Sequence, residues 1–397
     1  MKWHKNLYEA VGTLYERVTA SGKPPEEFLP RLFKNNPKWG KRDRDFIKHH
    51  LFTLLRYKNL WERLAGEIKD PPSWREVVDA YILATAPEMP PYLSYTKEQR
   101  QKLQNLYHNL KHEPHYRTGM PLWLFREGEK SWGRHWDEIA SMLNKENKPV
   151  IRVNTLKTSR KKLADRLRAH HYLFSLPEDY PDAIVFEKAY RLRHTPWFKK
   201  GWFEWQDLSS QEAGYFSGAK PGMTVVDACA GAGGKTLHLA ALMHNTGEIY
   251  AFDISALKLE ELKKRAGRAG VKNLKNVAVI TPEHIKKLQR KADILLVDAP
   301  CSGSGTYRRK PHLKWKFSPE EYDKIVENQR NILDEYAGMV KPGGHLVYIT
   351  CSVLSRENEQ QIKDFLNRNK DFTFVEEKHI LPSGEHDGFY MAKLKRK

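Results

Sequence analysis

The sequence predicts an α/β protein: a Rossmann-like, doubly wound domain over residues 206–397, a small α+β unit over 119–205, and an all-α domain over 1–118. Three observations carry this. The C-terminal half alternates apolar strands with helices, the N-terminal part shows only helical spacing, and paired prolines punctuate the helical segments.

In the N-terminal part, Phe46, Ile47, Leu51, Leu54, Leu55, Trp61 and Leu64 fall on one face of a helix expected from Asp45 to Leu64. Further helices are expected around Leu7–Val18, Trp74–Thr85 and Glu98–Leu110, with Pro24-Pro25, Pro71-Pro72 and Pro90-Pro91 between them. No chemistry-bearing constellation lies here, so this part reads as a binding or scaffold domain. In the second unit, Pro149–Asn154 and Ala183–Phe186 predict strands. Between them Ser159–His170 predicts a helix carrying Arg160, Lys161, Lys162, Arg166 and Arg168. Such a small β-α-β unit suits contact with a phosphate backbone, although a solvated face explains any single one of these residues as well. The third part has strands at Thr224–Asp227, Glu248–Asp253, Ala292–Asp298 and His345–Thr350. Their nearly continuous apolar runs are those of buried parallel strands, whose C-terminal ends form the ligand edge.

Charge points to the class of partner. The 397 residues carry 68 Lys plus Arg against 49 Asp plus Glu, a formal charge of +19. That excess favours a polyanion, above all a nucleic acid. A membrane is disfavoured: no apolar run approaches the roughly 20 residues of a spanning helix, and no lipidation motif or basic amphipathic anchor is present. With no signal-peptide core at Met1–Lys5, a cytoplasmic protein is expected, and a monomer. Three cysteines exclude a disulfide framework, and without a Cys-x-x-Cys pair no metal site is expected.

The first of these strands runs into Asp227-Ala228-Cys229-Ala230-Gly231-Ala232-Gly233-Gly234-Lys235-Thr236. Small residues let backbone approach a ligand, and the following helix presents its N-terminus. Three readings compete. Gly234-Lys235-Thr236 mimics a P-loop, but Cys229 stands where that motif needs glycine; a dinucleotide fingerprint would need glycine at Thr236. The third is an S-adenosylmethionine loop, with Asp253 at the end of the second strand taking the ribose hydroxyls. Loop and acid alone leave the three open.

Downstream, one strand ends in Asp298-Ala299-Pro300-Cys301-Ser302-Gly303-Ser304-Gly305-Thr306 and the next in Thr350-Cys351-Ser352, so two of the three cysteines stand at the ligand edge. Singly, either reads as a buried thiol; with an acid and a glycine loop they form a constellation. From Pro149 to Lys397 the chain resembles the Nop/Sun (Fmu) family of RNA cytosine-5 methyltransferases. The resemblance is carried by Arg152–Lys157, Gln206–Gln211, Asp298–Trp315, Thr350-Cys351-Ser352, Glu357-Asn358-Glu359 and Asp387-Gly388-Phe389. The helical N-terminus more weakly resembles a NusB-like domain, which favours ribosomal over transfer RNA. Where the family has Ala-Ala-Pro before Gly-Gly-Lys, this chain has Ala230-Gly231-Ala232, which points to a looser loop.

The resemblance implies a class I methyltransferase domain and assigns roles. Cys351 adds to carbon 6 of cytosine and makes carbon 5 nucleophilic; Cys301 assists release; Asp298 hydrogen-bonds the ring edge; Lys235 lies near the base. S-adenosylmethionine is the implied cofactor, held by Cys229, Ala230, Gly231, Ala232, Gly233, Gly234, Lys235, Asp253 and Asp298. The family's third cofactor acid should fall near Thr281-Pro282, where none stands; Glu283 is adjacent and that contact is left unassigned. The basic run after the Pro-Cys loop, with Arg308, Arg309 and Lys314, is expected to contact RNA. The rival readings are a transfer RNA cytosine-5 methyltransferase and a catalytically silent assembly factor on the same fold. An exocyclic-amine methyltransferase needs a polar-Pro-Pro-aromatic motif that Asp298–Cys301 does not supply, and Cys229 disfavours a P-loop nucleotidase.

Overall fold

The computed structural model describes residues 2–397, and the chain divides into two compact units. One comprises the chain up to Asn144 together with Tyr307–Glu320; the other comprises Lys145–Thr306 and Glu321–Lys397. The division differs from the expected three segments in three places, the first being that no boundary falls at 205/206. Residues 119–144 continue the helical unit, and a stretch lying within the C-terminal sequence belongs to it as well.

In the helical unit, Ser73 and Glu76 form a capping box that starts the helix Trp74–Thr85, and Thr96 with Gln99 starts Lys97–Leu110 in the same way. The helix expected over Asp45–Leu64 is two, Lys41–Arg56 and Lys58–Ala65. Tyr57 between them leaves the helical region (φ −121°, ψ 35°). Gly119 packs into that bend, where a β-carbon would stand 2.2 Å from the Arg56 carbonyl oxygen. Both halves keep their apolar face inward, with Ile47, Leu51, Leu54, Leu60, Trp61 and Leu64 buried in one core.

The second unit holds two sheets. Strands β1 (Val150–Val153), β2 (Phe174–Ser175), β3 (Ala183–Phe186) and β4 (Phe203–Trp205) form an antiparallel sheet in the order β2-β3-β1-β4. The basic helix Arg160–Ala169 follows β1 and buries Leu163, Ala164 and Leu167 on its apolar face. The expected strand–helix–strand unit is therefore present, but β2 intervenes and β1 pairs with β3 antiparallel.

The larger sheet comprises β5 (Thr224–Asp227), β6 (Glu248–Asp253), β7 (Leu274–Val279), β8 (Ala292–Asp298), β9 (Val340–Thr350), β10 (Phe372–Ile380) and β11 (Phe389–Arg396). Its order is β10-β11-β9-β8-β5-β6-β7, parallel from β9 to β7 and antiparallel at β11 and β10. The order turns back between β5 and β8, the switch point at which an open α/β sheet receives its ligand. All four predicted strands are present. Among the described residues no helix is long and apolar enough to cross a membrane, and no cluster of metal-ligating side chains occurs.

Candidate active site

Everything at the C-terminal edge of β5, β6, β8 and β9 follows from where each strand stops. The glycine loop after β5 is tied down at four points. Gly231 N donates to Asp253 Oδ2 (2.8 Å) and Gly233 N to the Ala230 carbonyl (2.9 Å). Arg265 donates to the Ala232 carbonyl (2.6 Å) and Arg152 to that of Gly234 (2.9 Å). Arg265 is itself held by Glu204 (3.1 Å) on β4, and the buried Arg152 by Gln206. Gly231 and Gly233 take φ +54° and +85°, which a side chain would strain. The replacement of the family's Ala-Ala-Pro by Ala230-Gly231-Ala232 thus leaves a closed loop, not the looser one expected. Arg152, Glu204 and Arg265 were not foreseen as loop supports; only the Arg152 motif had a sequence signal.

Beside this loop lies a cavity of about 570 Å³, lined by Cys229–Ala232, Gly234 and Lys235, Asp253, Asp298 and Pro300, and by Asn331, Glu335 and Tyr336. The volume falls within the range of small-molecule sites. Asp253 is held by two backbone amides, Gly231 N and Ser255 N (both 2.8 Å). A nucleoside-bearing ligand with a cationic centre fits this donor set: backbone amides, a fixed carboxylate for hydroxyls, and acids nearby. Gly233 does not line the cavity; it packs inward, where a β-carbon would meet Leu262 at 2.6 Å. Glu283, adjacent to the missing third acid, is exposed and lies outside the cavity, whereas Glu335 lines it.

Lys235, in the first turn of the helix Gly234–Leu242, donates to Asp298 Oδ2 at 2.6 Å and sits 5.2 Å from the centre of the Phe389 ring. Burial pushes the Lys235 ammonium down, but Asp298, with a smaller contribution from Cys351, leaves it above the ordinary lysine value. Cys301 and Cys351 converge from the ends of β8 and β9 to an Sγ–Sγ separation of 3.2 Å, as free thiols. The Cys351 sulfur beside it, and then burial, push the Cys301 thiol well up, so at neutral pH Cys301 keeps its proton. Burial also raises Cys229, the third cysteine, which stays a thiol in the cavity wall.

The basic run has a different fate from the one expected. Arg308 and Lys314 are buried within the helical unit, exposed by 2% and 1%. Lys314 Nζ donates to the carbonyls of Arg56 (3.2 Å), Thr118 and Gly119 (both 3.1 Å) and to Asn144 Oδ1 (2.6 Å). Trp315 Nε1 donates to the Leu55 carbonyl (2.6 Å). Burial, and then the nearby Arg56, push Lys314 well below the ordinary lysine value, and its hydrogen bonds are spent on internal oxygens, so Lys314 is corrected from an RNA contact to an internal clasp. Arg308 is buried alongside it and Arg309 is half-buried, whereas Lys161, Lys162, Arg166 and Arg168 on the basic helix are exposed.

Comparison with known proteins agrees with this geometry. Residues 218–395 match the family described as 16S rRNA methyltransferase RsmB/F, and residues 120–193 match the ferredoxin-like domain of RsmF/B-like methyltransferases. The ribosomal RNA small subunit methyltransferase B of Salmonella newport (strain SL254) is 30% identical over an alignment of 434 positions covering the whole of both chains. A Synechocystis protein named "probable ribosomal RNA small subunit methyltransferase B" is 31% identical over 296 residues, 70% of this chain and 66% of that one. A solved structure described as that of PH0851 superposes with a TM-score of 0.80 over the full length of both chains, at 25% identity. A relative matched from end to end at this identity shows the family that the cavity and the two thiols at one strand edge suit: the chain belongs to the ribosomal RNA small subunit methyltransferase B family of S-adenosylmethionine-dependent methyltransferases.

Proposed function

We propose that this chain methylates carbon 5 of a cytosine in small-subunit ribosomal RNA, with Cys351 as the nucleophile. The observation that carries the reading is the 3.2 Å approach of Cys301 and Cys351 beside the Lys235–Asp298 ion pair. Carbon 5 of cytosine is a poor nucleophile until a thiolate adds to carbon 6. Cys351 forms that carbon–sulfur bond, Asp298 hydrogen-bonds the ring edge, and Lys235 supplies the positive charge that favours a thiolate next to it. When bound, S-adenosylmethionine supplies an electrophilic methyl group. The backbone of Cys229–Ala232 and Gly234 and the Asp253 carboxylate would hold its amino-acid and ribose parts. Once carbon 5 carries the methyl group, a general base takes its proton, the electron pair re-forms the double bond between carbons 5 and 6, and the bond from carbon 6 to Cys351 breaks with its pair on sulfur. Cys301, whose surroundings favour the thiol, assists that release by donating a hydrogen bond to the departing Cys351 sulfur. The target base must leave its stack to reach two thiols at a strand edge, so the substrate is an unpaired or opened stretch of RNA. The exposed basic helix Arg160–Ala169 tracks the backbone, and the enzyme works as a cytoplasmic monomer.

Bisulfite sequencing of total RNA from a deletion strain tests the reading. One cytosine of small-subunit ribosomal RNA should lose its protection and regain it with the gene restored. A lost mark in transfer RNA would transfer the activity to that substrate, and no lost mark would support a silent assembly factor.

A further inference from the structure

The β8–β9 ladder ends before either cysteine: its last bond runs from Ala299 N to the Ile349 carbonyl (2.9 Å). Beyond it, Cys301 and Cys351 stand on separate loops, and regular sheet pairing does not fix the distance between their sulfurs. Three bonds join the loops directly: Gly305 N to the Cys351 carbonyl (3.0 Å), Ser304 Oγ with Ser352 Oγ (2.9 Å) and Val353 N to Ser304 Oγ (2.9 Å). At the residues that follow the cysteines the loops are also bridged by the side chain of Glu357, in the turn Ser355–Glu357, fully buried. Its Oε1 accepts from Ser302 N (2.7 Å) and Gln329 Nε2 (3.1 Å). Its Oε2 accepts from Ser302 Oγ (2.5 Å) and from Ser352 Oγ. Ser302 and Ser352 are the residues immediately after the two cysteines.

Asn358 completes the tie on one side, accepting from Thr350 Oγ1 (2.5 Å) and donating to the Ser352 carbonyl (3.1 Å). The turn is anchored by Tyr348 OH, which donates to the Glu357 carbonyl (2.8 Å). Four donors on one carboxylate leave no lone pair for a proton, so the arrangement suits the ionised form. Burial disfavours that form and raises Glu357, while the bonds from Ser302, Ser352 and Gln329 oppose the rise. Glu357 lies outside the cofactor cavity.

We infer that Glu357 is a positioning residue: its carboxylate clamps the residues after Cys301 and Cys351 and so holds both thiols against one reacting base. The inference rests on the proposed function for its catalytic consequence, but the thiol geometry can be measured without catalysis. Diamide takes two electrons and two protons from a pair of thiols and joins their sulfurs, at a rate that reports how often they meet. In wild-type protein the Cys301–Cys351 bond, identified by peptide mapping, should close fast.

Glu357→Ala should slow closure about tenfold and lower kcat about 100-fold, the scale of a small misplacement at a reacting centre. KM for RNA and affinity for S-adenosylmethionine should stay within about twofold of wild type, since Glu357 touches neither in this scheme. Glu357→Gln keeps the shape and part of the bonding, so it should fall between the two. Should Glu357→Ala fail to fold, Glu357→Gln decides by the same two rates. Unchanged closure in the folded variants overturns the clamp. Slowed closure in a protein whose wild type methylates no cytosine would sustain the clamp and sink the proposed function instead.

Discussion

Lys235 Nζ and Asp298 Oδ2, 2.6 Å apart, join the helix that follows the glycine loop to the end of β8. The pair thus links the wall of the cofactor cavity to the strand that leads into the Cys301 loop. Lys235 is buried and Asp298 about one-third exposed, so the carboxylate keeps a free edge toward a ligand while its charge is balanced from behind.

The two cysteines should separate by the step at which each variant stops. Cys351→Ala is expected to abolish methylation and any covalent RNA adduct. Cys301→Ala should still attack and transfer methyl, then stall as an RNase-sensitive, slow-migrating band on a denaturing gel; the double variant should lose that band. An adduct trapped by Cys351→Ala would make Cys301 the nucleophile.

Cofactor affinity should depend on Asp253. Its carboxylate serves both the Gly231 amide and the proposed ribose contact, so Asp253→Ala should weaken S-adenosylmethionine binding about tenfold, the loss of one charge-assisted hydrogen bond. Calorimetry without RNA measures it. Unchanged affinity would move the ribose contact elsewhere, with Glu335 the next acid on the cavity wall.

RNA affinity should fall with added salt through the exposed helix rather than through the buried clasp. Replacing Lys161, Lys162, Arg166 and Arg168 by alanine should reduce the slope of log K against log salt by about 0.7–0.9 for each phosphate that is no longer neutralised. Lys314→Met should leave the slope alone and instead lower the melting temperature by about 5–10 °C, because three carbonyls and Asn144 lose a buried donor. A flattened slope in Lys314→Met would restore that lysine to the RNA surface.

Stability should also carry the mark of Asp227. Burial lifts its carboxyl from the usual 3.8 to about 7, against the hydrogen bond from Thr236 and with Asp298 adding to the rise. Between those values the native state keeps a proton that the unfolded chain has released, so stability declines as pH rises through that window. Asp227→Asn cannot titrate, and urea midpoints measured from pH 5 to 8 should decline less for it than for wild type. Parallel declines would show that Asp227 is ionised in the native protein.

Much of the site was legible because its signals are local. A strand, a run of small residues and a helix are contiguous in the chain, so the Asp227–Thr236 loop, Asp253 and both cysteine loops could be placed before the fold was known. Strands β7, β10 and β11 escaped for the opposite reason: Leu274–Val279 is only half-buried, Phe372–Ile380 is an edge strand with mostly exposed residues, and in the mostly buried Phe389–Arg396 the residues Lys393, Lys395 and Arg396 interrupt the apolar run. Side-chain roles that depend on distant partners were beyond the sequence. Lys314 looks like its basic neighbours until residues 56, 118, 119 and 144 close around it, and Glu357 looks like a surface acid until it meets Ser302 and Ser352. Spacing along a chain determines which elements form and which loops meet at a strand edge. Whether a charge faces solvent, a ligand or the protein's own carbonyls is decided by packing between residues far apart in sequence, because burial and hydrogen bonding arise only in the folded state.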